Sequence, residues 1–600
     1  MRRNFSLTRR ALAGAPACDT PATRVFEDTP TPDPSPQGGG EYARDHADRG
    51  HPHSAHTYHG PAPDGGAARS PSPLWGGVRG GGTFQPASAP GTKLLRSLLA
   101  ANLILFATVG HSAAGDALSL PAERSDLNPK DKARVERIVR PTTDFSRAEQ
   151  FERMQGGAGT SEKRVNQDAF SQSSANITFE EEGTFKLGNG MFRKLWVSSP
   201  SSTQASDGLG PLFNARACQS CHLKDGRGHP PEGNSDATSM FLRLARTAET
   251  DAEKAALAER KVVNFPDPVY GGQFQDLAVP GLKGEGRMVI TYEEVPVELA
   301  DGTRLSLRKP SYSVADLGYG PMDPKTTLSP RVTPPMIGLG LVEQIHPADL
   351  LANADPDDGN GDGISGKAAI VRDDKTGELA LGRFGWKAQN PTIRQQSAGA
   401  FAGDIGISTP DVPQHWGDCT KAQADCLAMP NGVQERLGAV EAPDPIMDLV
   451  TFYSQNLAVP ARRDIDKPEV LRGKQMFYEA GCASCHTPKF VTRRDAPNKA
   501  QAFQLIWPYS DFLLHDMGEG LADGQQVGDA TGGEWRTPPL WGIGLTQTVN
   551  GHTFFLHDGR ARNLTEAILW HGGEGQASRD RFAALPASDR DALIKFLESL

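Results

Sequence analysis

Two short stretches hold the residue types with the most chemistry in this chain. "ARACQSCHLKD" contains Cys218, Cys221 and His222, and "GCASCHTPK" repeats that trio at Cys482, Cys485 and His486. C-x-x-C-H is the attachment signal for a c-type haem. Two thiols one helical turn apart bond the two vinyl groups of one haem, and the adjacent histidine is pinned beneath the iron. A structural zinc wants four ligands. Each trio offers three, and no second C-x-x-C or H-x-x-x-H pair stands nearby. A redox C-x-x-C requires free thiols. Two occurrences, each after a helical turn signal, favour two covalent haems.

Two haems need sixth ligands or open positions. A Met raises the iron's potential, a His lowers it relative to Met, and an open position admits peroxide. In "LHDGRARNLTEAILWHGG", Leu564, Ala567, Ile568 and His571 share one helical face, and Gly572 and Gly573 mark the helix end. His571 is thus a candidate iron ligand. "DGNGDG" resembles the start of a calcium loop, with Asp358, Asn360 and Asp362 supplying oxygens and Ile364 a carbonyl. Position 12 of that loop is Ala369 where a bidentate Glu belongs, so it is not a full EF-hand. Arg536 and Arg560 can pair with haem propionates.

The elements that must position these residues form an internal repeat. "FKLGNGMFRKLW" and "EVLRGKQMFYEAG" each carry a Gly before a Met-Phe run, ahead of a C-x-x-C-H. "PIMDLVTFYSQNLAVP" places Ile446, Leu449, Val450 and Tyr453 on one helical face, and "SDRDALIKFLESL" does the same with Leu593, Phe596, Leu597 and Leu600. Ser588 and Asp591 suggest a cap for the last helix. Residues 287–315 alternate apolar and polar around Asp301-Gly302 and predict a β-hairpin. The expected fold is mainly α: two cytochrome c-like haem domains, residues 115–459 and 460–600, the first with a β-containing insertion.

Residues 1–92 are rich in Pro, Gly and Ser and read as a disordered or untranslated leader. Residues 93–114 follow with Lys93 and Arg96, an apolar run from Leu98 to Val109, and small residues suiting cleavage after Ala114. That pattern predicts a signal peptide and a periplasmic protein. Cys419 and Cys426 can close a disulfide there, and would stay thiols in a reducing compartment. Lys plus Arg number 63 against 73 Asp plus Glu, a net charge of -10, with no basic run for nucleic acid.

"GLGPLFNARACQSCHLKDGRG", "RFGWKAQNPTIRQQSAGAFAGDIGIST" and "FFLHDGRARNLTEAILWH" together resemble the di-haem oxidoreductases. These are related to the bacterial di-haem cytochrome c peroxidases and to the di-haem enzyme that matures tryptophan tryptophylquinone. The resemblance implies a peroxidatic haem on His222 and an electron-transfer haem on His486. It implies Trp386 between the haems and Gln396 ten residues on, with Asp404 in place of the family's Glu as the acid–base residue. Asp404 falls eight residues past Gln396, two short of the family spacing, and Glu343 is the fallback acid. The family's distal ligand lies fourteen residues after the His of H-x-G; from His557 that position is His571, with Met517 as the competing ligand. A small exported cytochrome or cupredoxin is the expected electron partner and peroxide the expected substrate. The alternative is a non-enzymatic di-haem electron carrier.

Overall fold

The computed structural model describes residues 120–232 and 238–600. The leader and the signal segment expected at residues 1–114 lie outside the described residues.

Two helix pairs organise the chain. The Phe179–Phe192 helix begins with a capping box at Thr178 and Glu181 and packs against the Asp444–Gln455 helix. The Pro468–Glu479 helix packs likewise against the Ala587–Ser599 helix. The crossings depend on matched glycines. A Cβ on Gly188 would lie 2.3 Å from the Leu449 carbonyl oxygen, and one on Gly473 would lie 1.9 Å from that of Ala592. The Phe four residues on then stacks near each trio's histidine: Phe192 with His222 at 5.9 Å, and Phe477 with His486 at 6.2 Å. The closing helix adds Tyr453 to the first stack and Phe596 to the second. Leu593, Phe596, Leu597 and Leu600 are all buried, as the last helix's pattern requires. That helix is preceded by Pro586 and has no side-chain cap, so Ser588 lies inside its first turn rather than ahead of it.

The expectation of a mainly α fold is corrected by the structure. Helix accounts for 29% of the described residues and strand for 17%. The described residues form seven two-stranded sheets. The largest is the predicted hairpin, Arg287–Glu298 paired antiparallel with Arg304–Ala315. Met240–Ala245 pairs with Thr327–Val332. Much of the remaining chain is irregular segment that wraps a central cavity, so its backbone groups bond across long sequence distances rather than within helices.

The hairpin straps the two copies together. Tyr312 donates to Asp558 at 2.9 Å, Arg308 to the Gly559 carbonyl at 3.0 Å, and Arg590 on the last helix reaches Asp301 at the hairpin turn at 2.7 Å. Cys419 and Cys426 form a disulfide.

Candidate functional site

One cavity is lined by both cysteine trios. Its empty volume is about 3020 Å³, including the mouths that open to solvent. Cys218–Cys221 forms a single helical turn, and Cys482–Ser484 a tighter 3-10 turn.

The histidines show how the cavity is prepared. His222 donates from Nδ1 to the Pro334 carbonyl at 3.1 Å, and His486 from Nδ1 to the Tyr509 carbonyl at 2.9 Å. A carbonyl can only accept, so each ring carries its proton on Nδ1 and keeps the Nε2 lone pair for a metal. Burial lowers both pKa values to about 4, which keeps the rings neutral. His571 repeats the arrangement, with Nδ1 donating to the Ala567 carbonyl at 2.8 Å and its pKa lowered by burial. It is close enough to His486 to lower that residue's pKa further. Met517 lines the same end of the cavity, and its Cε and the His571 ring flank Gly575.

The thiols are poor nucleophiles. Burial pushes Cys218 and Cys482 up to about 12, and raises Cys221 and Cys485 as well. A thiol–disulfide enzyme needs a lowered pKa.

The cavity wall carries buried cations. Arg383 donates to the Val342 and Ile345 carbonyls at 2.8 and 2.7 Å, and Arg536 to those of Gly385 and Thr537 at 2.9 and 3.0 Å. Arg331 bonds Ser329 and Gln525, and Arg227 the carbonyls of Phe554 and Leu556. Among the described residues these four hold no ion pair, and burial brings each pKa down to about 10. Asp558, Asp523, Glu343 and Asp511 act on Arg227, Arg331, Arg383 and Arg536 only at longer range, so the wall can still take an anionic ligand such as a haem propionate. Arg560 does not belong to this set, because Asp558 already neutralises it at 2.8 Å.

Trp386 lies where the two copies meet. Its indole donates to the Val332 carbonyl at 2.8 Å, and its own carbonyl accepts from Arg536 N at 2.9 Å. A mirrored bond runs from Val332 N to the His557 carbonyl at 2.7 Å. Two repeats underlie this exchange, and sequence reasoning missed both. "TPPMIGLGL" from Thr333 is echoed by "TPPLWGIGL" from Thr537. The second repeat sets Trp386 against His557. It also sets Thr392, which caps the Ile393–Ala400 helix, against Asn563, which caps Leu564–Leu569. The same register sets Gln396 against Ala567, Ala400 against His571, and Asp404 against Gly575, and all six residues line the cavity. The copy bearing His222 therefore presents an amide, a methyl group and a carboxyl. The copy bearing His486 presents a methyl group, an imidazole and a glycine.

Asp404 sits in a π-helical turn, Phe401–Ile405. Its Oδ1 accepts from Gln273 Nε2 at 2.8 Å, and burial raises its pKa. Gln396 accepts from Asn390 at 2.8 Å. Glu343 is committed elsewhere: one oxygen accepts from Ile393 N at 2.8 Å and the other from Gln455 at 2.7 Å. It does not line the cavity. In the acidic loop, Asp358 accepts from Gly363 N, Asn360 from Asp362 N and Asp362 from Ile364 N. Its side-chain oxygens thus serve as turn acceptors, and no group of three or more His, Cys, Asp or Glu is arranged for a metal among the described residues.

The chain matches the family described as "Di-haem oxidoreductase, putative peroxidase" over residues 150–600. It belongs to the di-haem oxidoreductases. No curated protein and no solved structure matched. A cavity lined by two carbonyl-anchored histidines, each beside a cysteine pair, is consistent with a di-haem family.

Proposed function

We propose that this chain is an exported c-type di-haem peroxidase. Cys218 and Cys221 would hold one haem over His222, and Cys482 and Cys485 the other over His486. His571 would complete the second iron's coordination. When bound, the haem held by His222 would supply the redox chemistry for splitting the peroxide O–O bond. A small exported cytochrome or cupredoxin is the proposed donor.

One observation favours an enzyme over a carrier: Ala400 stands where the repeat places His571. The first copy offers no side-chain ligand there, which leaves room for peroxide. The chain surrounds that room with proton chemistry. Burial raises the Asp404 pKa, which suits its carboxylate to take the proton from one peroxide oxygen and return it to the other. The Gln396 side chain, steadied by Asn390, orients the substrate. Trp386, Arg227, Arg331 and Arg536 bond across the two halves of the cavity and keep them in fixed register.

Electron paramagnetic resonance of the oxidised protein tests this reading. One high-spin and one low-spin signal are expected. Ala400→His should convert the high-spin signal to low-spin and abolish the peroxide reaction. His571→Ala should open the second site to cyanide. Two low-spin signals in the unaltered protein, indifferent to peroxide and cyanide, would establish the carrier instead.

A further inference from the structure

The carboxyl of Asp404 is held from behind the cavity wall. Asp418 Oδ2 accepts from two successive backbone amides, Gly272 N at 2.6 Å and Gln273 N at 2.9 Å. This grip fixes Gln273, which is fully buried. Gln273 Nε2 then bridges Asn214 Oδ1 at 2.6 Å and Asp404 Oδ1 at 2.8 Å. Asn214 closes the circuit, because its amide and that of Ala215 donate to the Asp404 carbonyl at 2.9 and 3.0 Å. Those two residues lead directly into the first cysteine trio. Asp418 is itself steadied by the adjacent Cys419, whose disulfide to Cys426 packs on Leu212.

We propose that Gln273 and Asp418 are positioning residues that fix the Asp404 carboxyl for proton transfer to peroxide. The inference rests on the reading of Asp404 as the distal acid. Gln273 occupies Oδ1 and so leaves Oδ2 for the substrate. Rotation of the carboxyl would break the Nε2 bond and leave one hydrogen of that buried amide with only the longer 3.4 Å contact to the Gly403 carbonyl, which is costly. The other charged or titratable groups acting with Asp404 are Arg243, Cys218 and Cys221. The second copy has Gly575 at the matching position and needs no such support.

Both amides bond to one oxygen of Asp418, so an asparagine can replace it and an alanine cannot. The test compares Gln273→Leu, Asp418→Ala, Asp418→Asn and Asp404→Asn in the haem-loaded protein. The readouts are the peroxide reaction rate, its pH profile and amide exchange at Gly272 and Gln273. Gln273→Leu and Asp418→Ala should slow the reaction by roughly ten- to a hundredfold. They should also move the acid limb to higher pH, since the lost bond favours the carboxylate. Amide exchange should speed up in Asp418→Ala, and Asp418→Asn should restore all three readouts. Should Asp418→Ala fail to fold, the near-isosteric Gln273→Leu carries the test alone. A slow Asp404→Asn beside a normal Gln273→Leu overturns the support and spares the distal acid. A normal Asp404→Asn overturns the distal acid and the support with it. Asp418→Asn as impaired as Asp418→Ala also overturns the proposal.

Discussion

Adding one methyl group at Gly188 should separate two kinds of glycine within a single helix. The Phe179–Phe192 helix contains Gly183, Gly188 and Gly190. Alanine in a helix interior is favoured over glycine by about 1 kcal/mol. Nothing lies within 4 Å of a Cβ placed on Gly183 or Gly190, so those substitutions should stabilise by about that amount. On Gly188 the same Cβ falls 2.3 Å from the Leu449 carbonyl oxygen and 2.7 Å from Tyr453 Cβ. Ordinary contact needs about 3.4 Å, so the helices must part by roughly 1 Å. Overpacking of this kind typically costs about 1–3 kcal/mol. Here the obstacle is backbone, and parting the helices also loosens Phe185, Phe192 and Tyr453, so the upper end applies. The net expectation for Gly188→Ala is a loss of about 2 kcal/mol against a gain of about 1 kcal/mol for Gly190→Ala. Urea unfolding followed by tryptophan fluorescence measures both. Midpoints that shift equally and in the same direction would refute the claim that Gly188 marks the crossing.

Three further outcomes are expected. Replacing Cys419 and Cys426 by serine should lower stability by about 2.5 kcal/mol, the chain-entropy value for so short a loop, read from the urea midpoint. Lys387 is fully buried and 3.0 Å from the equally buried Asp523; Lys387→Met should cost about 3–5 kcal/mol by leaving that charge unpaired, and Lys387→Met with Asp523→Leu should recover most of it. His515 lies between Asp511 at 2.9 Å and Glu574 at 2.6 Å, beside Cys485. Although burial alone would lower its pKa, the bonds to Asp511, Cys485 and Glu574 raise it from the ordinary 6.5. Burial opposes the bond to His515 at Glu574 too, yet the net effect is a fall from 4.5 to about 2. The raised imidazole stabilises fully below pH 6.5 and loses that contribution as pH rises. The lowered carboxyl stabilises above pH 4.5 and loses its contribution as pH falls toward 2. The His515→Gln variant should therefore differ most from the unaltered protein between pH 4.5 and 6.5, and a pH-independent difference in urea midpoints would refute this.

Much of the site was legible because its chemistry is local. A C-x-x-C-H trio needs only one turn of backbone, so each trio announces itself. His571 stood on an apolar stripe and at the family spacing, and the structure adds a third Nδ1 anchored on a carbonyl. The hairpin was legible because strict alternation ends at an Asp-Gly turn. The fold class was not. Helical periodicity marks only the segments that pack helix on helix, whereas segments lining the cavity bond to distant backbone and leave no period. Glu343 read as an acid because a carboxylate's partners cannot be seen in sequence; here they are an amide of the capped helix and Gln455. The "TPP" echo was visible in the letters, but its significance lies in a reciprocal hydrogen bond.

Sequence alone determined the candidate chemistry of this protein, since two thiols and an imidazole at fixed offsets define a site by covalent geometry. Tertiary structure decided that the two repeat segments, one bearing Ala400 and the other His571, line the same cavity. That placement depends on two segments adopting the same capped turn against one cavity. It also decided that four arginines line that cavity without a close ion pair among the described residues, because burial is a property of the packed chain and not of any residue in it.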